Sequence, residues 1–218
     1  MLADHVLFID GEAIILDKPA GLPVDAPRDG SLSLENHLAS LTFGFQRWPL
    51  PVHRLDRDTS GCLLLARNPK AHKRFAAAFE AGMVEKRYLA VVEGVPEDEE
   101  GVIDLALAKV SSREQGWRMV ADPKGKSAVT RWRRLAVKGG RALIGFAPQS
   151  GRTHQIRAHA LHGLGAAIVG DPVYGTGGEA MLLHAHRLSV PREGKPPAEA
   201  VAPLPDRFAA AGFVHAEN

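Results

Sequence analysis

The densest concentration of side chains able to do chemistry is His53-Arg54-Leu55-Asp56-Arg57-Asp58-Thr59-Ser60-Gly61. Every position from His53 to Asp58 except Leu55 carries an ionisable group, and the segment runs straight into the apolar stretch Cys62-Leu63-Leu64-Leu65-Ala66. Polar groups this dense beside a core are costly unless they are paired or used. In an extended chain Arg54 and Asp56 point to one side and Leu55 to the other. A carboxylate held there could serve as nucleophile or general base, or it could belong to a structural ion-pair network at a strand entrance.

Other chemistries find less support. His53, Asp56 and Ser60 supply the residue types of a hydrolase triad, but no Gly-x-Ser-x-Gly elbow accompanies them. Asp56 and Asp58 could make a glycosidase pair, although two carboxylates at this spacing are common by chance. His154, His159, His162, His184 and His186 raise the question of a metal. His154 and His159 diverge on a helix, however, and no His-Glu-x-x-His or paired cysteines join them. Gly175, Gly177 and Gly178 lack the Gly-Lys-Ser/Thr of a phosphate loop. No metal or organic cofactor is expected.

The elements that must position these residues are legible in part. Val6 to Ile9 and Ala13 to Leu16 flank Asp10-Gly11, a hairpin signal. Lys18 to Pro23 reads as a loop, and Ser33 with Leu34, Leu38 and Leu41 as a short capped helix. Asn68-Pro69 opens a clear helix bearing Phe75 and Phe79 on one face, with Gly82 to stop it. Strands are expected at Lys86 to Glu93 and at Ile103 to Val110. A hairpin of Ser127 to Val137 with Arg141 to Pro148 is expected around Gly139-Gly140. Thr153 to Leu161 reads as a helix ended by Gly163 and Gly165, followed by a strand near Met181 to Val190. A proline-rich tail, Pro191 to Pro205, is expected to cross the surface to a last short helix near Asp206 to Ala211. Strands joined by hairpins with a few helices argue for an α+β fold around a mixed, largely antiparallel sheet.

Composition sets the outer limits. The 218 residues are 45% hydrophobic and 24% charged, a globular profile that suits one domain over 1–218. A formal charge of +2 announces no partner, yet Lys124 to Arg157 holds nine Lys or Arg and no Asp or Glu. Such a stretch can make a positive surface for phosphates, or simply a solvated basic face. The single cysteine, Cys62, excludes an internal disulfide and reads as a buried strand residue. No apolar run is long enough to span a membrane, and no signal-peptide pattern opens the chain, so a cytoplasmic monomer is expected.

The motifs together resemble one family. His53-Arg54-Leu55-Asp56-x-x-Thr59-Ser60-Gly61 is similar to the signature of the RluA-type pseudouridine synthases. Lys18-Pro19-x-Gly21, Lys86-x-Tyr88 with Ala90, and Gly151-Arg152-Thr153-His154-Gln155-Ile156-Arg157 with Gly170-Asp171-x-x-Tyr174-Gly175 resemble its other motifs in order. Leu183-His184-Ala185 and Ala202-Pro203-Leu204-Pro205 extend the likeness, which covers about residues 5 to 208. The chain departs from the pattern at Leu22-Pro23-Val24-Asp25-Ala26-Pro27 and lacks the aromatic usual before Ala202. No separate N-terminal RNA-binding domain is expected.

The resemblance implies an isomerase that turns specific uridines of structured RNA, ribosomal or transfer, into pseudouridine. It implies Asp56 as the catalytic carboxylate, with Arg157 pairing to it. Tyr88 stacks on the base and carries protons, and Arg54 holds phosphates near a displaced nucleotide. His53, Thr59, Arg152, His154 and Gln155 join the substrate-binding set. The other reading of the same fold is a catalytically idle RNA-binding module.

Overall fold

The computed structural model describes residues 1–27, 29–114 and 116–214. In chain order the strands are β1 (Val6–Ile9), β2 (Ala13–Lys18), β3 (Leu50–Pro51) and β4 (Ser60–Ala66), followed by helix α1 (Pro69–Glu80). Then come β5 (Glu85–Glu93), β6 (Glu100–Asp104), β7 (Leu107–Ser112), β8 (Gly116–Ala121), β9 (Val129–Lys138) and β10 (Arg141–Pro148). Helix α2 (Gln155–Leu164), strands β11 (Leu183–Arg192) and β12 (Lys195–Val201), and helix α3 (Asp206–Ala210) complete the set. The fold is α+β, as the sequence implies.

The chain forms two compact units, one of Met1–Lys86 with Ala185–Pro203 and one of Arg87–His184 with Leu204–Asn218. In the first, β1, β2 and β4 pair antiparallel, and β3 pairs β4 from Leu50 and Pro51. The β1–β2 turn is closed by Asp10, whose Oδ1 accepts from the Glu12 and Ala13 N–H groups at 2.8 and 2.9 Å. Strand β4 is buried at every position, so its run of apolar residues needs no alternation. Helix α1 starts where Asn68 Oδ1 accepts the Ala71 N–H at 2.8 Å. It lays Ala71, Phe75 and Ala78 against Ile15, Leu64 and Leu188. Cys62 is buried among them, and burial pushes its thiol up to about 12, which makes it unreactive. Leu34–Leu41 is a 3-10 helix that buries Leu34, Leu38 and Leu41.

In the second unit β10 lies between β5 and β9, and β6 extends the sheet beyond β9, all antiparallel. One face carries Tyr88, Ala90 and Val92, with Phe146, Trp132 and Ile156. Leu89 and Val91 point the other way to Leu143, Phe208 and Phe213. The hairpin β7–β8 forms a sheet of its own.

Three expectations are corrected. Ile103 to Val110 is not one strand: it breaks at Leu105-Ala106, so that β6 pairs with β9 and β7 with β8. Gly163 lies inside α2, where an added Cβ would fall 2.6 Å from Ile103 Cγ2. The helix ends at Gly165, whose left-handed backbone lets its N–H reach the Ala160 carbonyl. Lys195–Val201 of the proline-rich tail is strand β12, paired to β11 in antiparallel register, with Ala198 buried and Ala202 buried just beyond it. Pro196 and Pro197 fall where that ladder is irregular, between Val190–Ala198 and Arg192–Lys195, so their missing N–H groups cost no paired bond. Among the described residues no helix is long and apolar enough to cross a membrane.

Candidate active site

Asp56 sits in a tight turn, its carbonyl accepting the Thr59 N–H at 3.1 Å. Leu55, Thr59 and Ser60 are buried while Asp56 is half-buried, so buried neighbours hold the backbone that carries its carboxylate. Lys18 braces this turn. It is fully buried, and its Nζ donates to the carbonyls of Pro19, Leu22 and Arg57 at 2.9, 2.8 and 3.0 Å. The Gly21 N–H donates to the same Arg57 carbonyl at 2.9 Å, from a left-handed conformation that suits glycine. A lysine ammonium has three donors, and here three backbone carbonyls take them. Gly61 closes the segment with φ +105°, and a Cβ there would lie 2.3 Å from the Ala185 carbonyl oxygen.

His53 and Arg54 take different parts. The His53 Nε2 accepts the Leu64 N–H at 3.0 Å, and its ring stacks on Phe79 at 4.6 Å. Burial, helped by the nearby Lys86 charge, lowers its pKa to about 3, so the ring is neutral and its proton is on Nδ1. Arg54 is exposed and pairs with Asp25 at 2.8 Å, one of the residues where the chain departs from the family pattern. Arg57 reaches Asp58 at 3.2 Å.

In the second unit the chemistry gathers at the start of α2. Arg157 and Asp171 form a fork on a fork, Nε to Oδ2 and Nη2 to Oδ1, both 2.7 Å, with both side chains buried. Asp171 Oδ1 also accepts the Val173 and Tyr174 N–H groups at 2.8 and 3.1 Å. Burial alone would raise the Asp171 pKa, but the Arg157 bond and charge, with these two N–H groups, outweigh it and hold the carboxylate ionised. The resemblance implies Asp56 as the partner of Arg157; two of its nitrogens go to Asp171.

His154 adopts φ +51°, a left-handed backbone uncommon outside glycine, at the N-cap of α2. Its Nδ1 meets the Tyr174 hydroxyl at 3.0 Å, and that hydroxyl accepts the Met119 N–H at 2.9 Å. The His154 ring stacks on Trp117 of β8 at 4.6 Å. Gln155 has its amide filled by the protein: Oε1 accepts from Ser150 Oγ and the Arg152 N–H, and Nε2 donates to the Val129 carbonyl and Thr130 Oγ1. Arg152 is exposed, with Nε donating to the Ser127 carbonyl at 3.0 Å. Tyr88, half-buried on β5, stands opposite Phe146 of β10.

The structure thus groups His53, Arg54, Asp56 and Thr59 with Lys18 in one unit. In the other it groups Arg152, His154, Gln155 and Arg157 with Asp171 and Tyr174. Lys18, Asp171 and Tyr174 lay within the quoted motifs without an assigned role; Trp117 gave no sequence signal.

The basic stretch is less one-signed in three dimensions. Strand β6 sets Glu100 opposite Arg133, at 3.8 Å, and Arg134 reaches Glu99 at 3.5 Å and the Pro96 carbonyl. Arg141 pairs with Glu179, and Arg157 is internal. Arg131 and Arg133 nevertheless project on the exposed face of β9, where Thr130 and Trp132 are buried. The histidines disperse: His159 bonds Thr130 Oγ1 and the Leu105 carbonyl, His186 the Ala202 carbonyl, and His184 packs on Phe208.

A profile of the family described as RNA pseudouridylate synthase matches residues 12–162. An uncharacterized RNA pseudouridine synthase of Zymomonas mobilis is 62% identical over 217 residues, 98% of this chain and 99% of that protein. The ribosomal large subunit pseudouridine synthase D of the same organism is 36% identical over 78% of this chain, which spans only 56% of that relative. Among solved structures, human RNA pseudouridylate synthase domain containing 4 aligns with TM-score 0.80 at 25% identity, covering 95% of this chain and 91% of that one.

Proposed function

The chain belongs to the RNA pseudouridylate synthase family, and from that premise we propose that Asp56, Tyr88 and Arg157 carry its reaction on a uridine of structured RNA. The enzyme is a pseudouridine synthase. The reaction breaks the bond from sugar C1′ to base N1, turns the base, and joins C1′ to C5, expelling the C5 hydrogen as a proton. Electrons balance without an oxidant or a donor group.

The observation that carries the residue assignment is the Asp56 turn, in which a half-buried aspartate rests on a backbone clamped by Lys18 and by buried Leu55 and Thr59. A nucleophile or base gains from being fixed in this way. Tyr88 offers a ring for the base and a hydroxyl for proton movement. Arg157, oriented by Asp171, supplies a fixed positive charge. Gln155 and Asp171 act as braces. Arg54, Arg152, His154 and the exposed arginines of β9 contact the RNA, and His53 and Thr59 shape the turn from within. Ribosomal RNA is the favoured substrate, in keeping with the likeness to the large-subunit synthase. The site of action is the cytoplasm, and the enzyme acts as a monomer.

The test is to map pseudouridines across ribosomal and transfer RNA with and without the gene. Loss at a discrete ribosomal position, restored by purified protein that releases tritium from C5-labelled uridine, is the expected result. Unchanged ribosomal maps would remove that substrate.

A further inference from the structure

The segment leading into β3 carries three exposed aromatic residues within six positions: Phe43, Phe45 and Trp48, the last 58% exposed. Isolated surface rings are ordinary, but three so close together mark a contact surface. This segment is also rigidly built. Buried Arg67 donates to the carbonyls of Thr42 and Phe43 at 3.0 Å each and to the Asp10 carbonyl at 2.6 Å, while its guanidinium lies 3.8 Å over the Phe45 ring. Phe43 is held at φ +45°, a conformation that a non-glycine residue keeps only when its surroundings enforce it. From Asn36 to Val52 there is no acidic residue, and His37 and Arg47 are present. Aromatic faces with a cation and no carboxylates suit bases linked by phosphates. The segment lies at the Ala66 end of β4, where Leu50 pairs with Ala66 and Arg67 reaches the Asp10 carbonyl, whereas Asp56 lies at the Gly61 end of the same strand.

We propose that Phe43 and Trp48, supported by Phe45, form a stacking platform for unpaired bases of the RNA substrate at the opposite end of β4 from Asp56. This rests on the reading of RNA as substrate and adds a contact surface outside the residues assigned to the chemistry. Arg67 acts as the positioning residue, fixing the backbone from which the rings project.

The test measures binding of a fluorescent RNA hairpin with unpaired uridine-rich flanks, and of the same hairpin with its flanks annealed to complementary strands. Trp48→Ala and Phe43→Ala should each weaken binding of the unpaired form about tenfold, equivalent to about 1.4 kcal/mol, and Trp48→Phe should restore most of it. Binding of the annealed form and the melting temperature should change little. Unchanged affinity for the unpaired form, or an equal loss for both forms, overturns the proposal. So does a change in sedimentation of the RNA-free protein on Trp48→Ala, which would make the patch a protein contact. Wild-type protein that binds the hairpin but releases no tritium from any RNA would instead remove the isomerase reading and leave this comparison intact.

Discussion

Arg157 and Asp171 meet as a buried two-pronged ion pair, with Nε–Oδ2 and Nη2–Oδ1 both at 2.7 Å. The pair fixes the first turn of α2 to the Gly170–Tyr174 turn, because the same carboxylate also accepts the Val173 and Tyr174 N–H groups. Replacing Asp171 by a neutral amide removes the carboxylate of this buried pair, and breaking a buried pair typically costs about 3–5 kcal/mol. Asp171→Asn should therefore lower the melting temperature by roughly 10 °C at neutral pH. Since the folded pKa of Asp171 is held below its usual 3.8, its contribution is present above that value and is lost as pH falls through the folded pKa. The gap between wild type and Asp171→Asn should narrow below about pH 4. Thermal melts across that range check it; a constant gap would mean that ionisation of Asp171 contributes nothing.

Asp56→Asn keeps the size of the side chain and removes its charge. Turnover, read as tritium release from C5-labelled uridine, should fall by at least about 10⁴-fold, while RNA affinity stays within a fewfold of wild type. Sustained release by folded Asp56→Asn protein would remove Asp56 from the mechanism.

Tyr88→Phe keeps the ring opposite Phe146 and loses only the hydroxyl. The variant should fold and bind RNA normally and turn over more slowly by about 10²-fold, the scale of one general acid or base. Wild-type turnover would reduce Tyr88 to a stacking role.

Lys18→Met leaves the carbonyls of Pro19, Leu22 and Arg57 without their ammonium donor at a partly buried site. The expected loss is roughly 2–4 kcal/mol of stability, measured by urea denaturation. Because the Arg57 carbonyl adjoins Asp56, kcat should fall more than RNA binding does. A variant as stable as wild type would show that the clamp contributes nothing to the fold.

Arg131→Glu combined with Arg133→Glu reverses charge on the exposed face of β9. Binding measured over a salt series should weaken, and its salt slope should drop by about 1–2, one unit per lost phosphate contact. An unchanged slope would place the RNA elsewhere.

The sequence by itself determined the features that depend on neighbours a few residues apart. The Asp10-Gly11 hairpin is legible because the Asp10 carboxylate bonds the N–H groups of Glu12 and Ala13. The start of α1 is legible because Asn68 bonds the Ala71 N–H, and the β9–β10 turn because Gly139 and Gly140 both take positive φ. The Asp56 segment declares itself by the density of its charges and the burial that follows. The tertiary structure decided the rest. Apolar Ile103 to Val110 could serve one strand or two, and only separate partners, β9 and β8, divide it. The prolines of the tail hid β12, whose pairing with β11 supplies the bonds that local sequence denies it. Lys18 finds a carbonyl 39 residues away and Arg157 a carboxylate 14 residues away. Such partners are chosen by packing across the fold, where burying an unpaired charge is prohibitive, and no local pattern of residue types encodes the choice.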